Sequence, residues 1–444
     1  MGDICRLLDD LWIPLPCNLT APQPCGYALL VMKDQVRVAI VGAGNIGMAH
    51  IESLRSVERA TIAAVCDAVP ERAQIAADLA AAPAYTDYQA LLQEVRPDAL
   101  VVSTPHFHHV PISVAAAAQG VHLLVEKPLA VHAADAQRIC AAVAKARLKK
   151  PGLVFAAMLN QRTYGHWRKI KDLIETRELG RLVRATWIIT DWFRTQHYYA
   201  TGGWRATWAG EGGGVLLNQC PHNLDLYQWF FGMPSLVTAF AGFGKYHDIE
   251  VEDEVTAYFE HPEGMIGHFV TSTGESPGTN RLEIVGEHGR LVFEDNALTL
   301  MRNRRSMLKV IRESNLSFAK VESWPTEIPY ADHGEPGHRL VLRSFISAIL
   351  DGGPLYATGE DAVNSVVLGN AILSSALQSQ GNAVRDHAQQ DWTGQSQLVS
   401  RVSVPIPFDT DAFRRLLQTL AAESRYRPDQ DQQTGAVEDL SQSY

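Results

Sequence analysis

The sequence predicts two unlike folds in one chain: an α/β domain built on a doubly wound parallel sheet, then an α+β domain with a large, mostly antiparallel open sheet. Apolar runs at 36–41, 61–66, 99–103, 121–125 and 153–157 alternate with alanine-rich helical runs at 70–82, 109–119 and 132–147. Strands alternating with helices make a parallel sheet covered on both faces. Beyond residue 234, runs at 235–243, 251–260, 265–273, 280–286 and 290–294 follow one another across tight turns such as Pro262-Glu263-Gly264 and Glu287-His288-Gly289. Short consecutive strands joined in this way pair antiparallel.

The first strand, Val36 to Val41, runs into Gly42-Ala43-Gly44-Asn45-Ile46-Gly47, and an amphipathic helical stretch from Ile46 to Arg55 follows. Strand, G-x-G-x-x-G turn and helix, in that order, read as a Rossmann dinucleotide-binding unit. Gly42 permits the tight turn, Gly44 lets the main chain approach a pyrophosphate, and Gly47 lets the helix pack closely on the strand. The helix start at Asn45 and Ile46 offers free N–H groups to the phosphates. The second strand ends at Asp67, 20 residues past Gly47, where a carboxylate accepts hydrogen bonds from the adenosine ribose and repels a 2′-phosphate. NAD is therefore expected rather than NADP. Ser103-Thr104-Pro105-His106 and Glu126-Lys127-Pro128 close the next strands, and ligands of such sheets bind beyond the carboxyl ends of the strands.

After these elements a helix at 165–177 leads into the run 182–193, a helix is expected over 213–231, and helical patterns recur at 337–351 and 359–379. The expected organisation is a leader at 1–33 whose composition is compatible with disorder, an NAD-binding domain at 34–157, a domain for substrate binding and oligomerisation at 158–380, and a C-terminal segment at 381–444 that ends in a polar, disordered tail. Composition changes abruptly at Met32, so the leader is expected to be an appendage or to reflect an upstream start codon.

The chain has 444 residues, 46% hydrophobic and 20% charged, with a formal net charge of −10. That balance disfavours a nucleic-acid partner, and Arg302-Asn303-Arg304-Arg305 is short enough for a solvated turn. Cys5, Cys17, Cys25, Cys66, Cys140 and Cys220 lack tight metal-ligand spacing and read as reduced thiols. The first 30 residues lack the pattern of a signal peptide, and no apolar run reaches 18 residues, so no membrane association and a cytoplasmic location are expected.

Four elements together resemble the Gfo/Idh/MocA family (glucose-fructose oxidoreductase and inositol dehydrogenase) over roughly residues 35–380: the glycine loop with Asp67, Ser103-Thr104-Pro105 followed by His109, Glu126-Lys127-Pro128, and Gly212-Gly213-Gly214-Val215-Leu216-Leu217-Asn218-Gln219-Cys220-Pro221-His222. The resemblance implies an NAD-dependent oxidoreductase acting on a hydroxyl of a sugar, sugar derivative or cyclitol. It implies a proton-transfer role for Lys127, beside the nicotinamide with Glu126, Ser103, Thr104, Pro105, His106 and His109, and a Lys-Pro peptide that can be cis. A lysine suits such a role when burial lowers its pKa toward neutrality.

His222 matches the histidine of the family's Asp-x-x-x-His segment, with Asn218 in place of the acid; on a helix the spacing of four puts both side chains on one face. Asn218 is expected to orient a catalytic His222 by a hydrogen bond, although an amide cannot stabilise imidazolium by charge. Between the domains, Trp187, Asp191, Trp192, Arg194, His197, Tyr198, Trp204, Arg205 and Trp208 form an aromatic stretch suited either to sugar binding or to a core and dimer interface. Gln161, Arg162, Tyr198, Trp204 and Arg205 are the candidate substrate contacts, with Arg162, Arg194 and Arg205 able to meet an anionic substituent.

No metal is expected at His106-Phe107-His108-His109, because the resemblance places His106 near the nicotinamide and His109 at a helix start. Homodimers or homotetramers through the open sheet are expected. A redox-neutral NAD-dependent glycoside hydrolase, working by transient oxidation at C3 and elimination, also needs Lys127 and NAD and stays open at this point. A catalytically silent NAD-responsive binding protein fits less well with an intact Lys127 and His222.

Overall fold

The computed structural model describes residues 34–387, apart from 202 and 333, and residues 402–425. The predicted leader and the predicted tail beyond 425 lie outside them. Six parallel strands form the first sheet: β1 (Val36–Val41), β2 (Ala60–Cys66), β3 (Ala84–Tyr85), β4 (Ala99–Val102), β5 (His122–Val125) and β6 (Phe155–Ala157), in the order β3-β2-β1-β4-β5-β6. Every residue of β4 and β5 is buried, as strands covered on both faces require. The covering helices are α1 (Asn45–Leu54), α2 (Pro70–Ala80), α3 (Tyr88–Glu94), α4 (His109–Ala118) and α5 (Ala133–Arg147). β3 and α3 are additions to the sequence reading, and α3 starts where the Asp87 side chain accepts the Gln89 N–H over 2.8 Å, an ordinary N-cap.

After α6 (Gly165–Glu175) comes β7 (Leu182–Ile189), then α7 (Gln196–Ala200) and α8 (Pro221–Phe231). The second sheet continues with β8 (Leu236–Phe243), β9 (Glu252–Glu260), β10 (Ile266–Ser272), β11 (Asn280–Gly286), β12 (Gly289–Glu294), β13 (Ala297–Asn303) and, after α9 (Met307–Glu313), β14 (Ser323–Glu327). α10 (Gly337–Asp351), α11 (Gly359–His387), β15 (Ser403–Pro405) and α12 (Thr410–Glu423) complete the order. The nine strands run β14-β13-β12-β11-β7-β10-β9-β8-β15, antiparallel throughout except for the parallel pair β7 and β10.

Alternation along these strands puts Trp187, Phe259, Phe269, Leu282 and Ile284 into a core shared with Leu224 and Tyr227 of α8 and Leu368 and Ile372 of α11. Thr186, Ile188 and Tyr258 take the alternate positions and are only partly buried. α10 returns to the first sheet, where Leu342, Phe345 and Ile346 join Val36, Val38 and Ile40 in one cluster. Asn370 of α11 accepts the Ala133 N–H over 2.9 Å and donates to the Val131 carbonyl over 3.0 Å. α11 thus ties the segment just after Lys127-Pro128 to the second core.

The helix expected over 213–231 begins only at Pro221. Residues 211–220 form turns, with the N–H groups of Leu217 and Asn218 both reaching the Gly214 carbonyl. Gly214 explains this: a Cβ there would stand 2.0 Å from the Glu252 carbonyl oxygen, while the Glu252 carboxylate accepts the N–H groups of Gly214 and Leu216. The loop is held against β9 by a close approach that only glycine allows.

Candidate active site

The glycine loop has the geometry its sequence implies. Gly42 has φ +101°, and a Cβ on it would stand 2.4 Å from the Ser103 carbonyl oxygen; at Gly47 a Cβ would stand 2.0 Å from Gly42 O, whereas at Gly44 the space is open. Ser103 Oγ donates to the carbonyl of Gly42 over 2.8 Å and so ties the end of β4 to the loop. The Asp67 carboxylate accepts the N–H groups of Ala43 over 2.7 Å and Val69 over 2.9 Å, which places it beside the loop at the end of β2.

α1 begins at Asn45 and Ile46 with no side-chain cap and no acid in its first turn, and Thr104 Oγ1 is a buried hydroxyl without a partner among the described residues. Uncapped N–H groups, the open face at Gly44 and an unspent hydroxyl fit the pyrophosphate of a dinucleotide.

At the end of β5, Glu126 is buried with Oε1 2.7 Å from His50 Nε2, and its Oε2 accepts the Lys127 N–H over 3.0 Å. Burial would raise the pKa of this carboxyl, but the hydrogen bond from His50 and the charges of His50, His338 and Lys127 together hold it at about 2. The Lys127–Pro128 peptide is cis. Lys127 Nζ donates to the main-chain carbonyl of Asn218 over 3.0 Å. Burial lowers the lysine pKa, with Arg205 acting in the same sense and Glu126 and Glu211 in the opposite one.

His222, in the first turn of α8, is pushed down to about 3 by burial and then by the charge of Lys127, and its Nδ1 has no partner among the described residues. It is a neutral ring. The expected hydrogen bond to it from Asn218 is absent: Asn218 precedes the helix, and its side-chain amide donates to the buried carboxylate of Glu211, which also accepts the Ala206 N–H over 2.7 Å. Burial raises the Glu211 pKa. His106 is buried, with Nδ1 3.4 Å from the Glu211 carbonyl oxygen and its ring edge-on to Trp204 at 5.9 Å; burial pushes it down to about 3. Lys127, His222, Asn218, Glu211, His106 and Trp204 therefore belong to one linked neighbourhood.

Two expectations are corrected. Arg162 does not serve a pocket: its guanidinium meets the Asp225 carboxylate at 2.7 and 2.6 Å, both groups buried. The ring nitrogens of His109 lie 2.9 Å from the Pro128 carbonyl oxygen and 2.8 Å from that of Thr104, so it bridges two strand ends and has no free edge for a cofactor. Trp187 is fully buried in the second core, which agrees with the core reading of the aromatic stretch at that position. Gln161 is half-buried in a 3₁₀ turn and its side chain makes no hydrogen bond among the described residues. Tyr198 Oη is approached by Arg205 Nη1 at 3.3 Å and Gln219 Nε2 at 3.4 Å.

Sequence reasoning missed His50 and Glu211. His50 was visible as a polar residue in the stripe Gly47, His50, Ile51, Leu54 that α1 buries. For Glu211 the sequence carries no such signal, since its partners depend on the turns between Ala206 and Asn218.

A glycine-loop sheet that presents a half-buried lysine to a second, sheet-built layer has the layout of a nicotinamide-dependent oxidoreductase. Residues 36–149 match the oxidoreductase family with an NAD-binding Rossmann fold, and residues 167–292 match the GFO/IDH/MocA C-terminal domain. The chain belongs to the Gfo/Idh/MocA family, and its first sheet is that family's NAD-binding domain. Among similar proteins are a myo-inositol 2-dehydrogenase from Thermotoga maritima, 23% identical across 77% of this chain and 96% of that one, and a levoglucosan dehydrogenase from Pseudarthrobacter phenanthrenivorans, 25% identical across 77% and 96%. The WlbA dehydrogenase of Bordetella pertussis, solved with NADH and UDP-GlcNAcA, superposes with a TM-score of 0.65 at 25% identity, covering 84% of this chain and all of that one.

Proposed function

We propose that the protein is an NAD-dependent dehydrogenase of a sugar, sugar derivative or cyclitol, with Lys127 as the proton-transfer group. The placement of Lys127 carries this reading: a lysine whose pKa burial lowers stands at the strand end next to the glycine loop, with Nζ fixed on the Asn218 carbonyl. NAD, when bound, supplies the acceptor for the hydride that leaves the substrate carbon. Neutral Nζ takes the hydroxyl proton during oxidation and returns it during reduction. His222, neutral and with Nδ1 unspent, hydrogen-bonds a substrate hydroxyl and leaves the proton to Lys127.

Gly42, Gly44, Asn45, Ile46 and Gly47 would cradle the pyrophosphate, and Asp67 would receive the ribose hydroxyls and exclude a 2′-phosphate. Tyr198, Trp204 and Arg205 would face the sugar. The names of the similar dehydrogenases support a polyol substrate.

We further infer a homodimer or homotetramer formed through the open face of the nine-stranded sheet, where Phe240 is exposed. A cytoplasmic setting agrees with Cys66, Cys140 and Cys220 being unpaired; no helix among the described residues is long and apolar enough to cross a membrane. The test is incubation with NAD and a panel of sugars, inositols and glycosides, following NADH absorbance and products together. NADH formed in step with a ketone product is expected. Glycoside cleavage without net NADH would replace the dehydrogenase by the redox-neutral hydrolase.

A further inference from the structure

Two arginines lie against one tyrosine in the segment between β7 and α8. The Arg205 guanidinium stands 4.9 Å from the centre of the Tyr198 ring and 4.8 Å from that of Trp204, and the Arg194 guanidinium stands 5.2 Å from the same tyrosine and 5.8 Å from Trp192. Stacking fixes a guanidinium while leaving its in-plane N–H fork available.

That fork is largely unspent. Arg205 donates to Tyr198 Oη over 3.3 Å and Arg194 to the Phe193 carbonyl over 2.9 Å. Neither is ion-paired among the described residues, in contrast to Arg162 with Asp225, Arg281 with Glu294 or Arg343 with Glu335; the Asp191 carboxylate feels the charge of Arg194 less than its hydrogen bond with Asn280. Glu211, whose charge Arg205 feels, has its carboxylate turned to the Ala206 N–H and the Asn218 amide. The Trp192 indole N–H is also buried without a partner among the described residues. Two like charges gathered on one ring repel each other, and an anion between them relieves that cost.

The patch adjoins the reaction centre. Gln219 reaches Tyr198 Oη and directly follows Asn218, whose carbonyl holds Lys127; Trp204 stands edge-on to His106. We infer that Arg205 and Arg194, held on Tyr198, Trp204 and Trp192, form a subsite for a singly charged oxyanion substituent, carboxylate or sulfonate, on the sugar whose hydroxyl is oxidised at Lys127. A carboxylate matches the guanidinium fork in two-point fashion. The subsite deepens the dehydrogenase reading above and rests on it for calling the bound sugar a substrate.

Calorimetric titration of the NAD-saturated protein with matched pairs tests it: glucuronate against glucose, galacturonate against galactose, and 6-deoxy-6-sulfoglucose against glucose. At least one acid should bind about tenfold or more tightly than its neutral partner, the scale of one charge-assisted hydrogen bond. Arg205→Gln and Arg194→Gln should each reduce that acid-to-neutral ratio several-fold, and Arg205→Lys should retain part of it. Which acid gains separates carboxylate from sulfonate. Failure of every acid to outbind its neutral partner, or variants that weaken both members of a pair equally, would overturn the subsite. Acid binding that follows the arginines but yields no NADH would keep the subsite and overturn the dehydrogenase reading instead.

Discussion

Lys127 Nζ is bonded to the main-chain carbonyl of Asn218, not to its side chain, at 3.0 Å. The lysine at the end of β5 is thus positioned by the backbone of the turn preceding α8, and the identity of residue 218 is free to vary without breaking that bond. The Asn218 side chain has a different task, on the buried Glu211 carboxylate.

Asn218→Asp would set two carboxylates against each other in a buried site. Like charges there raise both pKa values, and a carboxyl whose folded pKa lies above its unfolded one destabilises the fold increasingly as pH rises past the unfolded value. We expect a loss of about 1–3 kcal/mol at pH 8, the usual range for a buried polar group left without its partner, and a smaller loss at pH 5. Thermal melts at both pH values check it; an equal loss at the two would refute the pairing.

Glu211 raises the Lys127 pKa by its charge. Oxidation needs neutral Lys127, so kcat/KM should rise with pH through the lysine pKa. Glu211→Gln removes the negative charge, lowers that pKa and should move the rising limb to lower pH. A limb that moves upward or stays fixed in this variant would show that Glu211 does not act on Lys127.

Arg162 and Asp225 form a buried two-point ion pair. Removing one member of such a pair leaves an uncompensated buried charge and costs about 3–5 kcal/mol. Arg162→Met should therefore lower stability by that amount in denaturant titrations. A fully stable variant with a raised KM would return Arg162 to the substrate side.

Asp67 stands beside the glycine loop with both oxygens on backbone N–H groups. Asp67→Ser should weaken NAD binding and narrow its advantage over NADP. Calorimetry on the wild-type protein decides the premise: tighter NADP than NAD binding would refute it.

The first sheet was legible because strands buried on both faces read as apolar runs, and helix 337–351 because its stripe Leu340, Val341, Phe345 is uninterrupted. The segment 213–220 was misread as helix because its leucines and valine suit one; what prevents it is the seating of Gly214 on Glu252, a contact between residues far apart in sequence. Arg162 was misassigned for the same reason, its partner Asp225 lying 63 residues away. Lys127 was singled out because its motif stands at a predicted strand end and resembles the family's Glu-Lys-Pro, and the chain does turn there, directly after β5. Glu211 and the two arginines on Tyr198 depend on the path of the loop, which only the structure supplies.

The most direct measurement compares wild type with Lys127→Met for NAD binding by calorimetry and for turnover on the sugar or cyclitol that gives NADH. Lys127 as the proton-transfer group predicts NAD binding close to wild type and turnover lower by about 10²-fold or more, the usual scale for losing a general acid–base group. Near-normal turnover in Lys127→Met would contradict it.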